Sequence, residues 1–127
     1  MANQEVSIEK FKSLQAKAFK SHRRQHIPGE MNKTEQRMAD ELAIELAAGT
    51  ILWWAFEGIT LKLAHDCRLT PDFAVLHTDG SLELRDTKGF MEDDARAKLA
   101  MAADKFWMFK FSVYKPGKGG WKVKQIK

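Results

Sequence analysis

This chain has little of what a secreted or membrane protein needs. Its single cysteine, Cys67, cannot form an internal disulfide, which agrees with a reducing compartment. Burial as a small hydrophobe is the expected role for that thiol. No apolar run reaches membrane-spanning length. The first residues lack the apolar segment of a secretory signal, so a cytoplasmic protein is expected. Zinc-ligand spacings and internal repeats are absent too. The glycines of Pro116-Gly117-Lys118-Gly119-Gly120 make no phosphate cradle, because no helical pattern follows them.

What is present fits one α/β domain with an appended arm. A chain of 127 residues with 44% hydrophobic content can bury a real core. The formal net charge of +4 favours a polyanionic partner, though only weakly. Its distribution is more informative. Lysine and arginine crowd the two ends, and acids crowd Glu92, Asp93 and Asp94.

Residues 1–29 read as a basic helical arm and residues 30–127 as the core. After Ser7, an N-cap candidate, Ile8, Phe11, Leu14 and Ala18 recur at near-helical spacing. Lys10, Lys12, Lys17 and Lys20 lie on or beside the polar side, and His22, Arg23, Arg24 and His26 follow before Pro28-Gly29 breaks the chain. Either that basic face is only solvated, or Lys20, Arg23 and Arg24 contact a phosphate backbone.

The core begins with a capping-box pattern, Asn32-Lys33-Thr34-Glu35, and a helix that Gly49 should stop. Its apolar stripe is Met38, Ala39, Leu42, Ala43 and Leu46, and Glu35 lies at the edge of that stripe. A carboxylate there needs a reason. It caps its own helix, or it reaches a site elsewhere, and the two are compatible. The continuous run Ile51 to Phe56 suits a buried strand, with Trp53 and Trp54 as core rather than base-stacking platforms. Ile59, Leu61 and Leu63 alternate as a second strand. His65 is left outside any site.

Past residue 91 a helix is expected to start near Glu92, with Ala95, Leu99, Ala102, Ala103 and Phe106 inward. Three acids in its first turn complement the helix dipole. Arg96 and Lys98, like Lys33 at the earlier helix start, are candidates for phosphate contact or simply solvated charges. Trp107 to Tyr114 reads as a strand, Pro116 to Gly120 as a flexible basic loop, and Trp121 onward as a short final strand. The order implies a central mixed sheet flanked by helices.

Between these lies Thr70 to Lys88, a β-hairpin by pattern. Phe73, Val75 and Leu76 are strand formers, and Leu82 to Thr87 alternate. Two loops compete. A two-residue Asp79-Gly80 loop pairs Asp72 with Thr87 and puts Asp86 on the other face. A three-residue loop with Gly80 left-handed pairs His77 with Ser81 and sets Asp72 across from Asp86, Cβ atoms about 5 Å apart. Like charges so placed call for a cation between them, and Lys88 would lie on the same face.

The residues Pro71-Asp72, a gap, then Asp86-Thr87-Lys88 match the signature of the PD-(D/E)xK nuclease superfamily. The longer series NKTEQRMADEL, TPDFAVLHTDGSLELRDTKG and DDARAKLAMAADKF resembles a family of small phage-encoded proteins similar to Holliday-junction resolvases and phage endonuclease I. The resemblance implies a restriction-endonuclease-like fold. It implies a Mg²⁺- or Mn²⁺-dependent DNA endonuclease acting on branched DNA inside a bacterial host, working as a homodimer. By the same resemblance Asp72, Asp86 and the Thr87 carbonyl hold the metal. Glu35 binds a second metal or orients the attacking water, and Lys88 activates that water or stabilises charge on the phosphorane. Two rival classes remain: a DNA-binding module that does not cut, and a host-interaction phage protein in which the acids are incidental.

Overall fold

The computed structural model describes residues 29–87 and 93–126. The chain divides into two units, residues 1–32 and 33–127. The expected arm helix, with Lys20, Arg23 and Arg24, lies outside the described residues, as does Lys88. The second unit is an α/β fold of a mixed five-stranded sheet, a small two-stranded sheet and two helices.

Helix α1 (Lys33–Ala48) starts directly after Asn32, where the capping pattern places it. It ends in a Schellman turn: Thr50 N–H donates to the Glu45 carbonyl at 3.0 Å and Gly49 N–H to Leu46 at 3.1 Å. Gly49, at φ +80°, adopts the left-handed conformation this requires. The turn leads straight into β1 (Ile51–Phe56). A short hairpin, β2 (Leu61–Ala64) and β3 (Cys67–Leu69), forms the separate small sheet. Then come β4 (Phe73–His77), β5 (Leu82–Thr87), α2 (Asp93–Lys105), β6 (Lys110–Gly117) and β7 (Gly120–Gln125).

The large sheet runs β1-β4-β5-β6-β7. Among the described strands only the neighbours β5 and β6 pair in parallel, as expected where a helix crosses between two strands. Alternation gives the sheet two differently covered faces. On one, Ala74 and Leu84 join Leu61, Leu63, Leu99, Ala102, Ala103 and Phe111 in a core beneath α2. On the other, α1 lies against β1 and β5. There Arg85 Nη1 reaches Met38 Sδ at 3.4 Å, and Phe73 meets Trp54 and Phe56 with ring centroids 6.0 and 5.3 Å apart.

Several expectations change. The α1 stripe is half as long as its sequence suggests: Met38, Ala39 and Leu42 are buried, while Ala43 and Leu46 are exposed. Strand β1 is an edge among the described residues, so Leu52 is open and Trp53 is 42% exposed rather than core. Residues Phe106 to Phe109 form a turn closing α2, with the two phenyl rings stacked at 6.1 Å, and β6 starts only at Lys110. The expected flexible loop is instead the tight end of the β6–β7 hairpin, where Pro116 pairs with Trp121 and Gly117 with Gly120. His65 sits on the exposed β2–β3 turn. No helix among the described residues is long and apolar enough to cross a membrane.

Candidate active site at the open end of the central hairpin

The β4–β5 loop takes the three-residue form. His77 N–H donates to the Ser81 carbonyl at 2.9 Å, and Gly80 N–H returns to His77 at 3.0 Å. Gly80 is left-handed at φ +88°. The Asp79 carboxylate accepts from both the backbone N–H and the hydroxyl of Ser81, which holds the loop and keeps that carboxyl below its usual range. The two-residue alternative would need a left-handed residue at Asp79 as well. Among the described non-glycine residues, only Glu57 has positive φ.

From this loop the register runs Leu76↔Leu82, Val75↔Glu83, Ala74↔Leu84 and Phe73↔Arg85. One step further Asp72 stands across from Asp86. Here the ladder changes hands. The next hydrogen-bonded rung would join Thr87 to Pro71, where proline has no N–H to give the Thr87 carbonyl. Thr87 N–H donates instead to Asp72 Oδ2 at 2.8 Å, and the Thr87 hydroxyl adds a bond to the same oxygen at 3.1 Å. Asp72 N–H donates to Asp86 Oδ1 at 3.0 Å. Asp72 remains tied to β1 as well, its carbonyl accepting from Glu57 N–H at 2.8 Å. Both carboxylates are buried, at 6% and 5% exposure, and Thr87 is buried with them.

The other expected site residues divide. Glu35 is 3% exposed, in the first turn of α1. Because α1 turns directly into β1, which runs parallel to β5, that first turn lies toward the end of the sheet carrying Thr87. It approaches from the α1 face, whereas Asp86 alternates onto the α2 face. Among the described residues no three His, Cys, Asp or Glu side chains converge closely enough to hold a metal ion. A metal here would rest on two carboxylates with the Thr87 carbonyl. That donor set fits a hard cation such as Mg²⁺, which takes oxygen ligands, keeps several waters and needs only one or two carboxylates. Lys33, Arg96 and Lys98 are exposed, and Lys98 Nζ bonds the Arg68 carbonyl at 3.2 Å.

A second polar cluster was not expected. Glu83 and Arg85, on the α1 face, are both buried. Arg85 Nε stands 3.0 Å from Glu83 Oε1, and His77 Nε2 lies 2.7 Å from the same oxygen. The Arg85 guanidinium covers the Tyr114 ring at 4.5 Å. Burial pushes the Glu83 carboxyl upward, but the adjacent Arg85 charge and the hydrogen bond with His77 outweigh it, so it ends below its usual value. Burial raises the Tyr114 phenol against the opposing Arg85 charge. The signal was legible in part: a glutamate and an arginine two apart on one strand share a face. Whether that face is covered depends on α1.

No family model, curated protein or solved structure matches this chain.

Proposed function

We propose that this protein is a metal-dependent DNA endonuclease that cuts phosphodiester bonds on branched or structured DNA, with a restriction-endonuclease-like core. The observation that carries the reading is the cross-strand pairing of Asp72 with Asp86 where the hairpin ladder ends. Two carboxylates brought side by side at low exposure offer the oxygen donors that a hard divalent cation takes.

In this reading Asp72, Asp86 and the Thr87 carbonyl hold Mg²⁺ or Mn²⁺. When bound, such an ion lowers the pKa of a coordinated water and offsets charge on the phosphate. The chain's own part is orientation. Backbone N–H groups of Asp72 and Thr87 fix one oxygen of each carboxylate, so neither side chain must be ordered when DNA arrives. Glu35, which comes to the same end of the sheet from its other face, would bind a second metal or orient the attacking water. Lys88, two residues past Asp86, supplies a compact positive charge for that water or for the phosphorane. Lys33, Arg96 and Lys98 contact flanking phosphates.

A second reading has a specific observation behind it. The bonds just described are also what a purely structural end to a hairpin needs, since the carboxylates accept backbone N–H groups at the point where the ladder ends. A DNA-binding or host-interaction protein on this fold would use the acids only so. The deciding experiment incubates a panel of four-way junction, flap and linear duplex DNA with Mg²⁺ or Mn²⁺, wild type beside Asp72→Asn and Lys88→Ala. Cleavage by the wild type that both variants lose, with binding retained, supports the nuclease. Equal cleavage by Lys88→Ala and wild type removes the mechanism, and no cleavage by any of them favours the structural reading.

A further inference from the structure

We propose that the β6–β7 edge hairpin is a grip for the DNA phosphate backbone, made by Lys115, Lys122 and Lys124 beside the Asp72–Asp86 pair. This rests on the nuclease reading and adds the surface that would hold the substrate strand.

Register carries the argument. In the parallel β5–β6 pair, Asp86 aligns with Val113. In the antiparallel β6–β7 pair, Val113 faces Lys124. Laterally paired residues share a face of the sheet. Asp72, Asp86, Val113 and Lys124 therefore form one row across it, on the α2 face. Lys115 and Lys122 oppose each other two residues further along on that same face, beyond the row in the direction β5 points. With strands about 4.8 Å apart, Lys124 lies about 10 Å from Asp86.

The charges themselves are unexplained without a partner. Lys115 and Lys122 face each other directly, a like-charge pair that destabilises a hairpin. All three lysines are exposed, and among the described residues none makes an ion pair or a side-chain hydrogen bond. A polyanion supplies the missing counter-charge. The hairpin is also held in place from behind. On the opposite face Trp121 Nε1 donates to Glu41 at 2.9 Å, and the Arg37 guanidinium covers the Trp121 ring at 4.2 Å. Arg37 Nη2 further bonds the Gly120 carbonyl at 3.0 Å. The lysines thus stand on an anchored ribbon.

The test measures binding of a fluorescent 20-bp duplex without divalent metal, from 50 to 200 mM KCl. Wild type is compared with the triple variant Lys115→Gln/Lys122→Gln/Lys124→Gln and with the triple lysine-to-arginine variant. Lys110→Gln, at the far end of β6, controls for net charge. The glutamine variant should flatten the slope of log affinity against log salt by about 0.9 per lysine, about 2.7 in all. The arginine variant should restore the slope, and Lys110→Gln should leave it unchanged. Thermal melts report folding, and loss of the Lys115–Lys122 repulsion should leave Tm equal or higher. A salt slope unchanged by the glutamine variant overturns the grip and leaves the nuclease reading standing. A wild type that binds no DNA overturns both.

Discussion

Thr87 gives its backbone N–H to the side chain of Asp72 rather than to the backbone across from it, at 2.8 Å. The exchange falls at the rung where Pro71, lacking an N–H, has nothing to give the Thr87 carbonyl. It draws a carboxylate to the sheet's end, beside Asp86, and holds it there. The same bond makes Asp72 both a candidate ligand and a structural cap, and the two roles separate by substitution.

Asp72→Asn keeps an oxygen for the Thr87 N–H and hydroxyl, so the fold should survive with a Tm near that of wild type. Cleavage in Mg²⁺ should nonetheless be lost. Asp72→Ala removes the acceptor too and should cost about 1–3 kcal/mol in urea denaturation, the penalty for a buried N–H left unpaired. Junction cleavage by Asp72→Asn at the wild-type rate would refute the metal role.

Glu83 sets an acid limit on stability. Its carboxyl is held below the ordinary value of 4.5, so the folded state takes up that proton less readily than the unfolded chain does. The stabilisation is complete above pH 4.5 and is lost as pH falls below it through the folded value. Tm should therefore drop more steeply on acidification in wild type than in Glu83→Gln, with the difference confined to pH below 4.5. Parallel curves would mean that Glu83 is not the group responsible.

Arg85→Met should leave the Glu83 charge buried with its main partner gone, at a cost of about 3–5 kcal/mol. Pairing it with Glu83→Leu should recover most of that loss, because an apolar pair needs no counter-charge. Denaturant midpoints of the two singles and the double form the cycle that checks it.

Leu42 and Leu46 test how far α1 is covered. Leu42 is fully buried and Leu46 is 43% exposed. Leu42→Ala should cost about 2–5 kcal/mol through the cavity it leaves, and Leu46→Ala well under about 1 kcal/mol. Similar losses at both positions would place the far end of α1 against an apolar partner in solution.

Gly80→Ala should cost about 1 kcal/mol, since alanine resists the left-handed conformation at φ +88°. Gly80→Asn should cost less, because asparagine tolerates it. Equilibrium unfolding in urea separates the two. Equal stability would argue for a loop with a different geometry.

Helix α1, the α2 stripe and the strands from Ile51 and Leu82 were legible because their signals are local. Caps, glycine stops and alternation act within a few residues of one another. Residues Trp53, Ala43 and Leu46 misled for the opposite reason. Apolar side chains announce a buried face, but β1 lies at an edge and α1 extends past its cover. Nothing near those residues in sequence encodes either fact. Asp72 and Asp86 fell between these cases. Their pairing depended on which of two loops formed, and both were chemically acceptable.

By itself the sequence determined where both helices and most strands of the large sheet lie, that a hairpin turns at Asp79-Gly80, and that acids flank its open end, but not strand β3. Those are matters of backbone preference and side-chain period. Tertiary structure alone decided the remainder. Packing Phe73 and Val75 toward α1, and Ala74 and Leu84 toward α2, selects the register that sets Asp72 across from Asp86. The helical crossover that makes β6 parallel to β5 then carries Lys115, Lys122 and Lys124 onto their face, because alternation assigns a side chain to a surface only after its strand has found its neighbour.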